Sequence, residues 1–210
     1  MASGEHYFTS QPASDAKLHP LPVRLAGRDL ELVTAAGIFS PDRIDSGTQV
    51  LLADVPDAPP SGELLDLGCG WGPIALTLAL ESPHATVWAV DVNERALDVV
   101  RRNASALGLA NVNAVLPDDV PASVAFRAIW SNPPIRVGKA ELHALLLRWL
   151  PRLDDDADAW LVVQRNLGSD SLQKWLEGQL DPRFDIRRAS SSKGYRVLHL
   201  HAGARSQDDL

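Results

Sequence analysis

The sequence predicts a doubly wound α/β fold: a mostly parallel, seven-stranded sheet that ends in an antiparallel hairpin, with a short N-terminal β-hairpin appended to it. Three observations predict it. Strand-length apolar runs alternate with helical stretches from residue 63 to residue 180, and such alternation builds a parallel sheet because each parallel strand needs a right-handed crossover. The first of these strands runs straight into a glycine-rich loop that opens a helix. The chain then finishes with two strand-like runs around a short glycine-containing turn, which favours an antiparallel pair over another crossover.

Taken in order, residues 1–20 are polar, contain Pro12 and Pro20, and read as a tail without a core of its own. Leu21, Val23 and Leu25 alternate with other residues, Ala26-Gly27-Arg28-Asp29 supplies turn chemistry, and Leu30, Leu32 and Val33 continue the apolar positions as a second arm. Ile38-Phe39-Ser40-Pro41 breaks the strand pattern, residues 45–54 read as a short helix through Val50, Leu51 and Leu52, and 56–62 form a stiff connector. Residues 1–62 are thus expected to be a tail, hairpin and helix packed on the core, and 63–205 the main domain. Its strands are expected at 63–67, 86–91, 112–116, 128–131 and 159–164, with helices at 73–81, 94–107, 139–150 and 169–180. The closing strands are expected at 184–189 and 195–201, joined by a turn over 190–194. No internal repeat is visible.

At 210 residues this is one domain, or one domain with a small appendage. An apolar fraction of 45% and a charged fraction of 22% exclude a disordered or fibrous chain. Apolar runs such as Ala159-Trp160-Leu161-Val162-Val163 fall far short of the roughly 20 residues of a membrane-spanning helix. The N-terminus lacks a basic cluster followed by an apolar stretch, so a cytoplasmic location is expected. A single cysteine, Cys69, excludes an internal disulfide and a multi-cysteine zinc site, and His143, His199 and His201 lack ligand-like partners, so no metal is expected. The net charge of −7 repels a polyanion, so any nucleic-acid contact must be local. The one basic stretch holds Arg183, Arg187, Arg188, Lys193, Arg196 and Arg205 against Asp185, with Asp154, Asp155, Asp156 and Asp158 as its acidic counterweight; both read as solvated surface.

The densest signal is Asp66-Leu67-Gly68-Cys69-Gly70-Trp71-Gly72-Pro73. A strand running into Gly-x-Gly-x-Gly gives a turn without Cβ atoms, so that a nucleotide-like ligand can approach the backbone. Asp91, nineteen residues beyond Gly72 at the end of the next strand, is placed to accept the hydroxyl protons of a ribose; Asn93 is the better helix cap. These features alone leave a nicotinamide enzyme and an S-adenosylmethionine enzyme both open, although the spacing is one residue short of the dinucleotide Gly-x-Gly-x-x-Gly.

Asn132-Pro133-Pro134-Ile135 then follows the fourth strand of the domain, beside the glycine loop in a doubly wound order. Two prolines stiffen the backbone and lack N–H donors, so the wall they form offers acceptors only. If the Asn132 side-chain oxygen and the Pro133 carbonyl accept the two protons of an amine, its lone pair is aimed at an electrophilic methyl, and positioning is the main catalytic device.

These residues resemble the class I S-adenosylmethionine-dependent methyltransferases, a Rossmann-like family, and within it the small methyltransferase-domain group that includes the ribosomal small-subunit RNA guanine-N2 methyltransferases. The likeness covers roughly residues 5–202 and rests on the glycine loop, on Val90-Asp91-Val92-Asn93-Glu94-Arg95-Ala96 and on Ser131-Asn132-Pro133-Pro134-Ile135-Arg136-Val137-Gly138-Lys139. Gly37-Ile38-Phe39-Ser40 and Asp45-Ser46-Gly47-Thr48 look like that group's N-terminal signature. The resemblance implies that Asp66, Gly68, Cys69, Gly70 and Gly72 line the methionine half of S-adenosylmethionine and that Asp91 with Val92 meets the ribose. By the same resemblance Asp119 and the Val120 backbone meet the adenine, with Asp118 as an alternative to Asp119, while Phe39, Gly47 and Thr48 close over the cofactor. Asn132, Pro133, Pro134 and Ile135 would form the catalytic rim, with Asn132 also touching cofactor, and Arg136 and Lys139 would bind RNA phosphate. The implied activity is methylation of an exocyclic amine, guanine N2 in 16S ribosomal RNA, on free RNA or an assembling small subunit. Ile135 departs from the family, since many amine-methylating relatives place an aromatic there to stack on the base. A protein glutamine or DNA adenine amino-methyltransferase and a catalytically silent RNA-binding module are the alternatives.

Overall fold

The computed structural model describes residues 17–205, with Arg136 as backbone only; the start of the tail, with His6, Tyr7 and Pro12, lies outside the described residues. Strands β1 (Leu18–Leu25) and β2 (Arg28–Ala35) pair antiparallel around Ala26 and Gly27, both at positive φ, the turn geometry that matches strand twist. Then follow α1 (Ser46–Asp54), β3 (Ser61–Leu67), α2 (Pro73–Glu81), β4 (His84–Val90), α3 (Glu94–Ala106), β5 (Val112–Val115) and β6 (Phe126–Ser131). The chain closes with α4 (Lys139–Trp149), β7 (Leu153–Gln164), α5 (Ser169–Gln179), β8 (Phe184–Ser192) and β9 (Tyr195–Ala202).

The seven-stranded sheet has the order β5-β4-β3-β6-β7-β9-β8, and β9 runs antiparallel to both of its neighbours. The other pairs are parallel. Chain direction across the sheet reverses between β3 and β6, and loops leaving the carboxyl ends of those strands open a crevice there. Adjacent residues of the central strands point to opposite faces, which is why they are continuously apolar. Leu65 and Ile129 meet Leu146, Trp149 and Leu176 of α4 and α5, whereas Leu64 and Trp130 meet Leu51 of α1 and Leu78 of α2. The β1–β2 hairpin packs Leu21, Leu25 and Leu32 on α2 and α3. There the buried Asn103 carboxamide accepts from the Val33 N–H (2.9 Å) and donates to its carbonyl (3.0 Å), standing in for a missing strand partner. Among the described residues no helix is long and apolar enough to cross a membrane.

Two boundaries differ from expectation by more than two residues, and tertiary pairing explains both. Strand β7 begins at Leu153 rather than 159, so the acidic run lies within it. Two of its charges are met locally: Asp158 Oδ1 lies 2.6 Å from His199 Nε2 and 3.0 Å from His201 Nδ1, while Asp155 takes Arg183 and Arg205. Strand β8 runs on to Ser192 because its serines pair with 195–197 of β9, and the turn shrinks to Lys193 and Gly194, both at positive φ. The basic stretch is also paired rather than simply solvated. Arg188 and Arg196 both reach Asp170, and the Arg187 Nε–H donates to His199 Nδ1 at 2.9 Å.

Candidate active site

The glycine loop leaves β3 and is held from below. Gly68 and Cys69 N–H both donate to the Val90 carbonyl, at 2.8 and 3.1 Å, which binds the loop to the end of β4. Gly72 caps α2 at φ +93°, and a Cβ there would lie 2.9 Å from Val100 Cγ2, so both conformation and space demand glycine. Pro73 opens the helix, where its missing N–H costs nothing.

Asp66 lies beneath this loop, fully buried, rather than on the crevice wall. Its Oδ2 accepts the Ala75 N–H at 2.8 Å and its Oδ1 has no partner. Burial pushes its carboxyl up to about 8, against the opposing effect of the Ala75 bond. The folded state therefore holds a proton that the unfolded chain releases near pH 4, and stability contributed by this group is full below that pH and falls as pH rises toward 8. We predict that unfolding titrations of the wild type lose up to about 1.4 kcal/mol per pH unit from this group in that window, and that Asp66→Asn flattens the slope.

Asp91 follows the last residue of β4, and burial raises its carboxyl too. Oδ2 accepts from Gly70 N–H and Oδ1 from Asn93 N–H, each at 2.9 Å, and the Val92 N–H also bonds to the carboxylate, so it ties the glycine loop to the start of α3 and still has acceptor capacity left. Asn93 caps α3 by accepting from Arg95 and Ala96 N–H, and its Nδ2 donates to the Gly37 carbonyl at 2.8 Å. With Trp71 Nε1–H donating to the Ser40 carbonyl (3.2 Å), this clamps the segment carrying Ile38 and Phe39 over the crevice.

Across the crevice, Asn132 follows β6. Its Nδ2 donates to Asp45 Oδ2 at 2.9 Å and to Thr48 Oγ1 at 3.1 Å. Both amide protons are thereby used and the side-chain oxygen remains as acceptor. Asp45 is the N-cap of α1 and also takes the Gly47 N–H at 2.7 Å. A Cβ on Gly47 would stand 2.9 Å from Asp45 Oδ2, 3.0 Å from Tyr195 Cε1 and 3.3 Å from Asn132 Nδ2, so a bare Cα is what lets these three groups close together. The Pro133 carbonyl is not wholly open, since it accepts the Ile135 N–H at 2.8 Å and retains one lone pair.

A crevice open to solvent joins these elements. Gly68, Gly70, Asp91, Val92 and Phe39 line one side; Asn132, Pro133, Pro134 and Ile135 line the other. Thr48 and Cys69 border a small adjoining recess. Gly47 and Gly72 shape the walls from behind. Of the turn that holds Asp118, Asp119 and Val120, it is Pro117 that lines the crevice: Asp119 and Asp118 are exposed, Val120 is buried behind it, and Asp118 pairs with Arg148 at 2.8 Å. Lys139 is exposed at the start of α4 and the Arg136 side chain lies outside the described residues. Sequence reasoning missed Asp45, Pro117, Gln164 and Tyr195 as crevice residues. Only Asp45 carried a usable signal, a capping residue ahead of a helix. Among the described residues no group of three or more His, Cys, Asp or Glu is arranged to hold a metal.

Comparison with known proteins agrees with this geometry. The family described as Methyltransferase small domain matches residues 29–199. The chain is 32% identical over 197 residues to the uncharacterized protein YbxB of Bacillus subtilis (strain 168), covering 92% of this chain and 96% of that protein. It is 36% identical over 129 residues to the ribosomal RNA small subunit methyltransferase C of Aeromonas hydrophila subsp. hydrophila, covering 60% of this chain but only 36% of that protein. Among solved structures, the T. thermophilus 16S rRNA N2 G1207 methyltransferase in complex with AdoMet and guanosine superimposes with a TM-score of 0.76 at 22% identity. That match covers 93% of this chain and 52% of that one, so the chain spans about half or less of the ribosomal RNA methyltransferases it resembles.

Proposed function

Because the chain belongs to the methyltransferase small domain family of S-adenosylmethionine-dependent methyltransferases, we propose that it methylates ribosomal RNA and that the acceptor is the exocyclic N2 amine of a guanine. The observation that carries this reading is Asn132. Asp45 and Thr48 consume its amide protons, so its oxygen is held as an acceptor on the crevice wall opposite the glycine loop and Asp91. The similarity to ribosomal RNA methyltransferases supports the choice of RNA.

S-adenosylmethionine supplies the electrophilic methyl group. The crevice fits it on three counts: backbone without Cβ atoms at Gly68 and Gly70, a carboxylate at Asp91 with lone pairs to spare for ribose hydroxyls, and apolar walls at Phe39, Val92 and Pro117. Asp66 and Gly72 serve by holding the loop, Gly47 and Thr48 by setting Asn132, and Asp119 with Val120 by shaping the turn beside Pro117. Asn132 Oδ1 and the remaining Pro133 lone pair accept the two amine protons and orient the nitrogen lone pair toward the methyl. Arg136 and Lys139, following Ile135, take the RNA backbone. No side chain has to act as nucleophile. Nucleoside mass spectrometry of ribosomal RNA from a strain deleted for the gene tests this: loss of one N2-methylguanosine is expected. Intact ribosomal RNA, with label from S-adenosylmethionine entering a protease-sensitive fraction instead, would move the reading to a glutamine amide.

A further inference from the structure

We infer that Gln164 selects the acceptor base by reading the guanine edge next to the reacting amine; this rests on the guanine-N2 reading above. The topology puts it in place. Gly68 and Asp91 follow β3 and β4, Asn132 follows β6, and Gln164 ends β7 on the far side of Asn132 from the glycine loop. A base whose amine is held at Asn132 must therefore extend toward the ends of β7 and β9. There Gln164 lines the crevice directly opposite Tyr195 in the β7–β9 register, between walls contributed by Pro134, Ile135, Leu145 and Leu167.

The Gln164 carboxamide is half-buried and makes no hydrogen bond within the described residues. A base entering the crevice strips water from it, so the base must supply both a donor and an acceptor or leave it unpaired. Guanine does so. With N2 held at Asn132, the adjacent N1–H is a donor for the Gln164 oxygen and O6 an acceptor for its NH2, a bidentate match on the Watson–Crick edge of an unpaired base. Adenine held by N6 offers only acceptors beside its amine, N1 on one edge and N7 on the other, and leaves the Gln164 oxygen unpaired.

The test compares an RNA carrying the guanosine that the wild-type protein methylates with the same RNA carrying 2-aminopurine there. That base keeps the N2 amine but has neither N1–H nor O6. Wild type is expected to prefer guanosine by about tenfold to a hundredfold in kcat/KM, and Gln164→Leu to lower kcat/KM on guanosine by a similar factor and abolish the preference. Affinity for S-adenosylhomocysteine, read by calorimetry, is expected to stay unchanged. Gln164→Met, which keeps the length of the side chain but offers neither the amide donor nor the amide acceptor, is expected to lose the preference as well and provides a second variant should the leucine protein fail to fold. A preference retained by these variants overturns the role of Gln164. A wild type that methylates an RNA base other than guanine, or no RNA, overturns the underlying reading instead, and nucleoside mass spectrometry of the product separates the two failures.

Discussion

Asn132→Ala is expected to reduce kcat by about two to three orders of magnitude while leaving cofactor affinity within about twofold, the scale seen when one pre-aimed hydrogen-bonding group is removed from a reacting centre. The expectation follows from its fixed orientation. Nδ2 is spent on Asp45 and Thr48, so the oxygen needs no reorganisation to receive an amine proton. The alanine variant leaves Asp45 still accepting from Gly47 N–H, so α1 keeps its cap and the fold should survive. Asn132→Asp is the sharper control. It retains an acceptor but turns an oxygen toward the Asp45 carboxylate where an amide donor had been, and it should be as inactive as alanine. Single-turnover methyl transfer with calorimetric titration of S-adenosylhomocysteine checks both; unimpaired turnover in either variant would remove Asn132 from the chemistry.

Asp91→Ala should show the opposite pattern, weakening cofactor affinity by about tenfold to a hundredfold, the equivalent of one or two charge-assisted hydrogen bonds. Its two oxygens already accept from Gly70 and Asn93, so the loss combines ribose contacts with slackening of the glycine loop. Asp91→Asn keeps the shape and one acceptor and should fall between wild type and alanine. Equal affinity in all three proteins would mean that the carboxylate only braces the loop.

How much of this was legible in the sequence depended on whether a role is local. The glycine loop, Asp91 and Asn132-Pro133-Pro134 were readable because each is a short stretch whose residue types are dictated by what its own backbone must do. The mostly parallel sheet with its closing antiparallel hairpin followed from the alternation of elements, whereas the place of β9 between β7 and β8 did not. Gln164 and Tyr195 gave no such signal: each is an ordinary strand-end residue until β9 inserts next to β7 and brings both beside Asn132. The fate of the charges was hidden for the same reason. That Asp170 gathers Arg188 and Arg196, or that Asp158 sits between His199 and His201, is decided by pairings across the sheet and with α5. Asp66 was legible as the strand residue that opens the glycine motif, but its burial under Ala75 appears only once α2 is packed.

A crystal structure of the protein with S-adenosylhomocysteine and guanosine would show whether Asn132 and Asp91 hold acceptor and cofactor on facing walls of one crevice. The ribose hydroxyls of the cofactor are expected on Asp91 and the guanosine amine on Asn132 Oδ1, on the line from the thioether sulfur along which a methyl group would travel. A cofactor seated away from the Gly68–Gly70 backbone, or a guanosine whose amine faces away from Asn132, would contradict that arrangement.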